Sequence, residues 1–338
     1  MTAAPRAAVC IVTFNSEDDL PGVLEAAAEL EERPLELVVV DCGSSDRSVE
    51  RARAFAAPAG VAYRVLPLGE NRGFSGGMNA AIAACAAPWV LALNPDARPR
   101  RDFLAQLLAR AATSAGQRAG SLTGRLERPP ADGPEQDRPW RLDACGMKLL
   151  RSWRHLDRGS GEEDRGQYRK AELVFGGTGA ATLYRRVALL DVAFPDGEIF
   201  DPLFHSYRED AELAFRLQER GWTCIYEPEA RACHRRSVVP AGRAKVSAFI
   251  NYHSLKNRYL LRAYHQSAGN FLRTLAPTLL RDLGALFWVL LRERSSLPAY
   301  AWLWQNRREI LARRRYLFGR RTAGAEVFFW RESLPLPD

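Results

Sequence analysis

Between residues 7 and 110, short apolar runs alternate with longer segments that have the apolar spacing of helices. This alternation predicts an α/β fold in which a mostly parallel sheet is covered by helices on both faces. Strands are predicted at 7–13, 35–41, 62–68 and 89–94, and helices at 18–31, 46–56, 76–86 and 101–112. The carboxyl ends of the strands should meet at one edge, where open α/β sheets bind their ligands.

The fourth predicted strand ends in Asn94-Pro95-Asp96. The apolar run before it is typical of a buried parallel strand, and Pro95 ends the strand because proline has no N–H to donate to the ladder. Asp96 is therefore expected at the carboxyl edge of the sheet. A carboxylate there can bind a hard divalent cation, which is the usual partner of a diphosphate.

The first two strands also end in polar residues. Thr13 and Asn15 follow the first strand, and Asp41 ends the second, just before Cys-Gly-Ser-Ser-Asp. The serines and Asp46 are predicted to form a turn and cap the next helix. Asp41 is better placed to accept hydrogen bonds from a ligand, such as the imide N–H of uracil or thymine.

A glycine-rich segment, E-N-R-G-F-S-G-G-M-N, begins at Glu70. Its glycines are predicted to open a helix whose free N–H groups favour an anion, and Arg72 adds a positive charge. The alternative is a glycine-rich connection without a ligand. The segment is neither the G-x-G-x-x-G dinucleotide fingerprint nor a Walker loop.

Two further groups of candidates lie downstream. Glu209, Asp210 and Glu212 surround a predicted helix start, where they are either dipole partners or, for one of them, a general base. His234 ends a strand-like segment and is either structural or a ligand for Mg²⁺ or Mn²⁺ together with one Asp.

In this order, the motifs resemble the family 2 glycosyltransferases of the Rossmann-like GT-A fold. They are most similar to the rhamnosyltransferase-like branch, in which N-P-D commonly replaces D-x-D. The segments 141–146 (R-L-D-A-C-G) and 175–180 (F-G-G-T-G-A) are also similar to that branch. The resemblance covers roughly residues 7–240.

The resemblance implies a role for each matching residue. The nucleoside would be held by Thr13, Asn15 and Asp41, and the donor site would be lined by Arg72, Gly77, Asn79 and Asn94. Asp96 would bind a divalent metal (Mg²⁺ or Mn²⁺), with His234 as its second ligand. Asp210 would be the general base, with Glu209 beside it. Asn94 stands where a D-x-D protein has Asp, and Glu212 stands where the branch often has Asp, which keeps the choice of base among the three carboxylates open.

The implied reaction is an inverting transfer of a sugar from a nucleotide-sugar donor to a glycan or lipid-linked acceptor. By resemblance alone, dTDP-L-rhamnose is the favoured donor. A nucleotidyltransferase is an alternative, although residues 9–22 lack its usual G-x-G-T-R loop. A catalytically silent, membrane-bound scaffold is another.

The charge is concentrated at the C-terminus. Residues 241–338 hold 17 Arg and Lys against 6 Asp and Glu, whereas the whole chain has a net charge of +8. We therefore expect a catalytic domain at 1–240 and a basic, amphipathic helical extension at 241–338. The extension either packs on the catalytic domain or attaches to an anionic membrane surface. No nucleic acid partner is expected, because no recognition motif accompanies the charge.

The remaining features indicate a cytoplasmic protein, which the basic extension would make peripheral on the inner face of the cell membrane. The N-terminus lacks the pattern of a signal peptide, and the six cysteines contain no C-x-x-C pair. No unbroken apolar run approaches the ~18–20 residues that span a bilayer.

Overall fold

The computed structural model describes residues 4–33, 35–128, 140–236, 247–322 and 331–337. In these ranges the strands are β1 (Ala7–Thr13), β2 (Leu35–Asp41), β3 (Val61–Pro67), β4 (Trp89–Leu93), β5 (Ala97–Pro99), β6 (Ala119–Arg128), β7 (Arg141–Ala144), β8 (Met147–Leu149), β9 (His155–Asp157), β10 (Glu172–Val174), β11 (Ala181–Arg185), β12 (Thr223–His234) and β13 (Leu334–Pro335). The α-helices are α1 (Leu20–Ala28), α2 (Ser48–Ala54), α3 (Gly73–Ala83), α4 (Phe103–Ala111), α5 (Arg186–Asp191), α6 (Glu209–Glu219), α7 (Ala248–His265), α8 (Ala268–Arg292), α9 (Pro298–Gln305) and α10 (Arg307–Gly319).

The main sheet has the strand order β3-β2-β1-β4-β11-β6-β12-β10-β13. Strands β3, β2, β1 and β4 are parallel, and β11 runs antiparallel between β4 and β6. Every residue of β1 and β2 is buried, and the side chains of the two sheet faces belong to two core clusters, one shared with α1 and α4 and the other with α3 and α6. The predicted α/β class is therefore confirmed, and the register aligns Thr13 with Asp41 at the carboxyl edge.

Helix α3 begins at Gly73, three residues before the predicted start. Gly73 has a φ of +66°, and a side chain there would meet the backbone of His205. A Cβ on Gly77 would lie 2.5 Å from a methyl carbon of Val12 and 2.8 Å from the sulfur of Cys42. Gly77 thus lies within the helix, where the lack of a side chain lets α3 pack closely on β1.

The C-terminal helices pack against the α/β body. Leu260 and Tyr264 of α7, together with Ile310 of α10, share one buried cluster with Phe204 and Phe215. The predicted boundary between residues 240 and 241 lies outside the described residues. The Pro-, Asp- and Gly-rich segment 127–139 also predicts a loop, and residues 129–139 of it lie outside the described residues. The helical pattern predicted up to the C-terminus is wrong at Leu334–Pro335, which pairs with β10.

Helix α8 is long and apolar enough to cross a membrane, as judged by length and composition alone. The expectation that no segment has this capacity was wrong, because it counted only unbroken apolar runs. In α8 the apolar runs are interrupted by Arg281 and Asp282, but most of the other residues of the helix are apolar.

Candidate active site at the carboxyl edge of the sheet

The ends of β1 and β2 form one side of the site. The Thr13 hydroxyl is fully buried and has no hydrogen-bond partner among the described residues. Asn15 has a φ of +50°, and its side-chain oxygen accepts a hydrogen bond of 2.8 Å from the Ser45 N–H. Both residues thus lie at the predicted edge.

The Asp41 carboxylate is engaged by the turn that follows it. It accepts hydrogen bonds of 3.0 Å from the N–H groups of Gly43 and Ser44, and another from the Ser44 hydroxyl. The expectation that later residues alone would serve this turn was therefore wrong. Asp41 is still buried beside Thr13, and its contact with a nucleoside stays a prediction.

Asp96 and His234 lie together although 138 residues separate them in sequence. Strand β5 follows Asp96 immediately and pairs with the end of β12, so that Ala97 is opposite His234. As a result, Asp96 Oδ1 lies 3.2 Å from His234 Nε2. The predicted pair of metal ligands is therefore adjacent in the fold.

Asp143 on β7 completes this cluster and was not among the predicted site residues. Its fully buried carboxylate lies 2.7 Å from His234 Nδ1 and also pairs with Arg128 and Arg236. Burial alone would lower the pKa of His234, but hydrogen bonds to Asp143 and Asp96 outweigh it and raise the pKa to about 9. His234 thus lies between two carboxylates, one on each ring nitrogen.

This arrangement fits a divalent cation. Two adjacent ligands of an octahedral Mg²⁺ or Mn²⁺ with bonds of ~2.1 Å lie about 3 Å apart, close to the observed 3.2 Å between Asp96 Oδ1 and His234 Nε2. A carboxylate on the other imidazole nitrogen, as at Asp143, is the usual outer partner of a metal-binding histidine. Among the described residues, no group of three or more His, Cys, Asp or Glu side chains is arranged to hold a metal ion together.

Asp210 lies next to the N-P-D segment. Its Oδ2 accepts a 3.0 Å hydrogen bond from the Gly179 N–H, and the adjacent Ala180 carbonyl accepts one of 2.9 Å from the Asn94 N–H. Burial, together with the charge of Asp157, raises the pKa of Asp210 above its usual value. A carboxylate with a raised pKa is suited to accept a proton near neutral pH.

The neighbouring carboxylates differ in their surroundings. The Glu209 Oε2 atom is buried without a hydrogen-bond partner among the described residues, and burial raises the pKa of Glu209 well above its usual value. Glu212 is fully buried and forms an ion pair of 2.7 Å with Arg216. Burial opposes the charged form, but Arg216 lowers the pKa of Glu212. Glu212 is therefore a structural partner of Arg216.

The loop before Asp210 has an unusual backbone. His205, Tyr207 and Arg208 have φ values of +63°, +71° and +74°. Such conformations cost about 1–3 kcal/mol each in residues other than glycine and persist only when their surroundings hold them. The surroundings here include a residue of the C-terminal extension.

Asn257 of α7 is fully buried and holds this loop. Its side-chain nitrogen lies 2.8 Å from the carbonyl oxygens of Phe204 and Ser206 and 2.6 Å from that of Tyr207. Arg208 in turn donates to the Ser254 carbonyl of α7 at 3.2 Å. The sequence carries no signal for this contact, because Asn257 lies within an ordinary helical segment.

The start of α3 does not have free amides, contrary to the sequence prediction. The N–H groups of Gly73, Phe74 and Ser75 donate to the Asn71 side chain, the Ser206 hydroxyl and the His205 carbonyl. The 205–206 segment therefore occupies the position where an anion was expected.

The other predicted donor residues on this segment make structural contacts. Arg72 is exposed and pairs with Glu70 at 2.6 Å. The Asn79 amide bonds the backbone of Ile199 and Phe200. Their contact with a donor stays a prediction, as does that of Gly77.

Comparisons with known proteins agree with this architecture. The model of glycosyl transferase family 2 matches residues 8–192. An N-acetylglucosaminyl-diphospho-decaprenol L-rhamnosyltransferase from Mycobacterium tuberculosis strain H37Rv is 28% identical over 279 residues, which covers 77% of this chain and 84% of the relative.

Two solved structures are similar in fold. The mannosyltransferase PcManGT from Pyrobaculum calidifontis, in complex with GDP-Man and Mn²⁺, has a TM-score of 0.51 at 19% identity and covers 94% of this chain and 86% of that chain. GalNAc-T7 with UDP, GalNAc and Mn²⁺ has a TM-score of 0.56 at 13% identity. That match covers 77% of this chain, which spans 48% of GalNAc-T7.

Proposed function

Because this chain belongs to glycosyl transferase family 2, we propose that it transfers L-rhamnose from dTDP-L-rhamnose to a hydroxyl of a lipid-linked glycan, with inversion. The family and the GT-A fold predicted from the sequence are confirmed. The prediction that the chain is a glycosyltransferase with a nucleotide-sugar donor is also confirmed. The choice of rhamnose is supported by the 28% identical relative, which is an L-rhamnosyltransferase. The observation that carries the proposal is the Asp96–His234–Asp143 cluster at the same sheet edge as Asp210.

In this proposal, Asp96 and His234 would hold a divalent cation, Mg²⁺ or Mn²⁺. When bound, such an ion offsets the negative charge of a diphosphate. Asp143 would fix the His234 ring through Nδ1 and thereby keep Nε2 aimed at the cation. Asn94 would stand beside this site and contribute an amide where D-x-D proteins have a carboxylate.

The nucleoside would lie against Thr13, Asn15 and Asp41. The buried Thr13 hydroxyl supports this placement, because a ligand would give it the hydrogen-bond partner that the described residues lack. Arg72, Gly77 and Asn79 stay in the proposed donor site by family resemblance.

Asp210 would act as the general base. The acceptor oxygen attacks the anomeric carbon while its proton moves to the Asp210 carboxylate. The bond between the anomeric carbon and the diphosphate oxygen breaks, and its electron pair leaves with the nucleoside diphosphate. One displacement inverts the anomeric centre. Glu209 lies beside Asp210, and burial together with the charge of Asp210 raises the pKa of Glu209, which disfavours a second buried negative charge there.

The acceptor would be part of cell wall or polysaccharide assembly, as the function of the relative suggests. A lipid-linked acceptor would place the enzyme in the cytoplasm, peripheral on the inner face of the cell membrane. The basic extension supports this location, since anionic lipids attract clustered arginines.

The proposal is tested with the purified full-length chain and a panel of nucleotide sugars with Mg²⁺ or Mn²⁺. We expect slow hydrolysis of dTDP-L-rhamnose in preference to UDP and GDP sugars. Hydrolysis of another donor would refute the choice of rhamnose. Release of pyrophosphate from a nucleoside triphosphate and a sugar phosphate would instead indicate a nucleotidyltransferase, and no reaction with any donor would favour a silent scaffold.

The base is tested with Asp210→Asn. We expect transfer to fall by at least a hundredfold while donor affinity, measured by calorimetry, stays within about twofold, because the carboxylate acts on the acceptor. Asp196→Asn is the matched control, since Asp196 lies on an exposed turn before the same helix. Normal turnover by Asp210→Asn would refute the assignment.

A further inference from the structure

Helix α8 buries a polar stripe against the protein and exposes an apolar stripe, the reverse of an ordinary surface helix. Its buried or half-buried residues include Thr274, Thr278, Arg281 and Asp282, which form one stripe along the helix. The opposite stripe is apolar and exposed: Leu272 is 73% exposed, Leu280 72% and Phe287 67%. In water, an amphipathic helix buries the apolar stripe and exposes the polar one.

The polar stripe is attached to the body along most of the helix. The Trp153 indole N–H donates to the Thr274 hydroxyl at 3.1 Å, and Val289, near the other end, packs with buried residues of α7 and α9. Between them, the Asp282 carboxylate binds Arg258 and Arg262 of α7. Fifteen residues of helix correspond to about 22 Å, so α8 lies along the protein surface over that length.

This attachment decides how α8 could meet a membrane. A helix that crosses the ~30 Å hydrocarbon layer must be surrounded by lipid or by other spanning segments. Because one face of α8 is held on a folded body from Thr274 to Val289, only the outer face is available to lipid. The helix can therefore lie in the plane of the interface, with the apolar stripe inserted and the body above it.

The charged residues near the apolar stripe favour a membrane surface with negative charge. Asp282 is the only acidic residue of α8, and it faces the protein. Arg273, Arg292 and Arg294 are exposed at the two ends of the stripe. Trp288, which is exposed on the same helix, suits the boundary between acyl chains and headgroups.

From these observations we infer that the outer face of α8 is a lipid-docking surface that inserts in the plane of an anionic membrane leaflet. The exposed apolar residues of α8 are neighbours along one helix, whereas on an ordinary surface such residues are scattered singly. The inference deepens the proposed peripheral location and rests on it, but it does not rest on the donor or the base. Membrane binding and sugar transfer can therefore fail separately in experiments.

The test uses flotation of the full-length chain with phosphatidylcholine vesicles, with and without phosphatidylglycerol. We expect the chain to float with the anionic vesicles, and the double variant Leu280→Glu/Phe287→Glu to lose at least tenfold in vesicle affinity. The matched control is Val187→Glu/Leu190→Glu on α5, since these side chains are similarly exposed at 59% and 58%. Donor hydrolysis should be equal in all three proteins.

Three outcomes would overturn the inference. The first is equal flotation of the two double variants. The second is a concentration-dependent dimer that the α8 variant abolishes while the chain fails to float, since the apolar face would then be covered by a second copy. The third is labelling of Gly269→Cys and Ser295→Cys from opposite sides of sealed vesicles, which would show that the helix spans the bilayer.

Discussion

Asn257→Ala is the change that most directly tests how Asp210, the proposed base, is positioned. The substitution removes a buried amide whose nitrogen faces the carbonyl oxygens of Phe204, Ser206 and Tyr207. Alanine ends at Cβ and therefore offers no side-chain donor to these carbonyls. The three carbonyls would then lose a shared donor just before Asp210.

Two free-energy contributions determine how much Asn257→Ala destabilises the loop. Two N–H donors contribute about 0.5–1.5 kcal/mol each, and a buried group left without a partner costs about 1–3 kcal/mol. The loop therefore loses about 2–3 kcal/mol of support, which is near the lower end of the about 3–9 kcal/mol of strain in its three residues with positive φ. If the loop relaxes, the loss of 2–3 kcal/mol corresponds to a fall in kcat of about 30- to 150-fold.

The assay separates positioning from folding. We expect kcat to fall in Asn257→Ala while donor affinity changes less than about twofold, because Asp41 and Asp96 lie on other elements. Asn257→Asp should lose at least as much activity, since a carboxylate oxygen would face three carbonyl oxygens. Asn306→Ala is the control, because the Asn306 amide donates to the Trp302 carbonyl within the same extension. A normal kcat in Asn257→Ala, with a lowered Tm, would show that Asn257 serves only stability.

Three further predictions concern other groups. Asp143→Asn should weaken Mn²⁺ binding about 10- to 100-fold in electron paramagnetic resonance titrations, because the outer carboxylate on His234 is lost; unchanged Mn²⁺ affinity would argue against His234 as a ligand. The pKa of Asp210 is raised by burial, and only its deprotonated form accepts a proton, so kcat should fall as the pH is lowered through a value above that of an ordinary Asp; an acid limb at the ordinary value would contradict this. Burial raises the pKa of Asp201 to about 6, so its contribution to the free energy of unfolding should decrease by about 2–3 kcal/mol as the pH rises from ~4 to ~6; urea titrations of the wild type and Asp201→Asn should differ in this pH window, and parallel curves would refute the assignment.

The parts of the fold that could be predicted are those with a local pattern. Strands β1, β2 and β4 were predicted within a residue of their observed ends, because each is an apolar run that stops at a polar residue. This local signal also located Thr13, Asp41 and Asp96 at one edge. The start of α3 was misplaced because Gly73, Gly76 and Gly77 were all interpreted as helix openers, whereas Gly77 serves close packing.

The parts that could not be predicted depend on pairing between distant segments. The contact between Asp96 and His234 is created by three residue pairs between β5 and β12. Nothing in either segment specifies the other, so the residues suggested each ligand separately and only the resemblance paired Asp96 with His234. Asp143 lay in a segment that carried the family resemblance, but its role emerges only from its 2.7 Å contact with His234.

Helix α7 of the extension contacts both the loop before Asp210 and helix α8. Asn257 faces the loop before Asp210, and the next residue, Arg258, binds Asp282 of α8. Consecutive residues point about 100° apart around a helix, which lets α7 contact the loop before Asp210 with one face and helix α8 with a neighbouring face. The base would thus be positioned by the helix that also carries the membrane-facing surface. A lipid-linked acceptor would then meet Asp210 at a depth set by α7, so in this proposal the extension would contribute both to the active site and to the attachment of the enzyme.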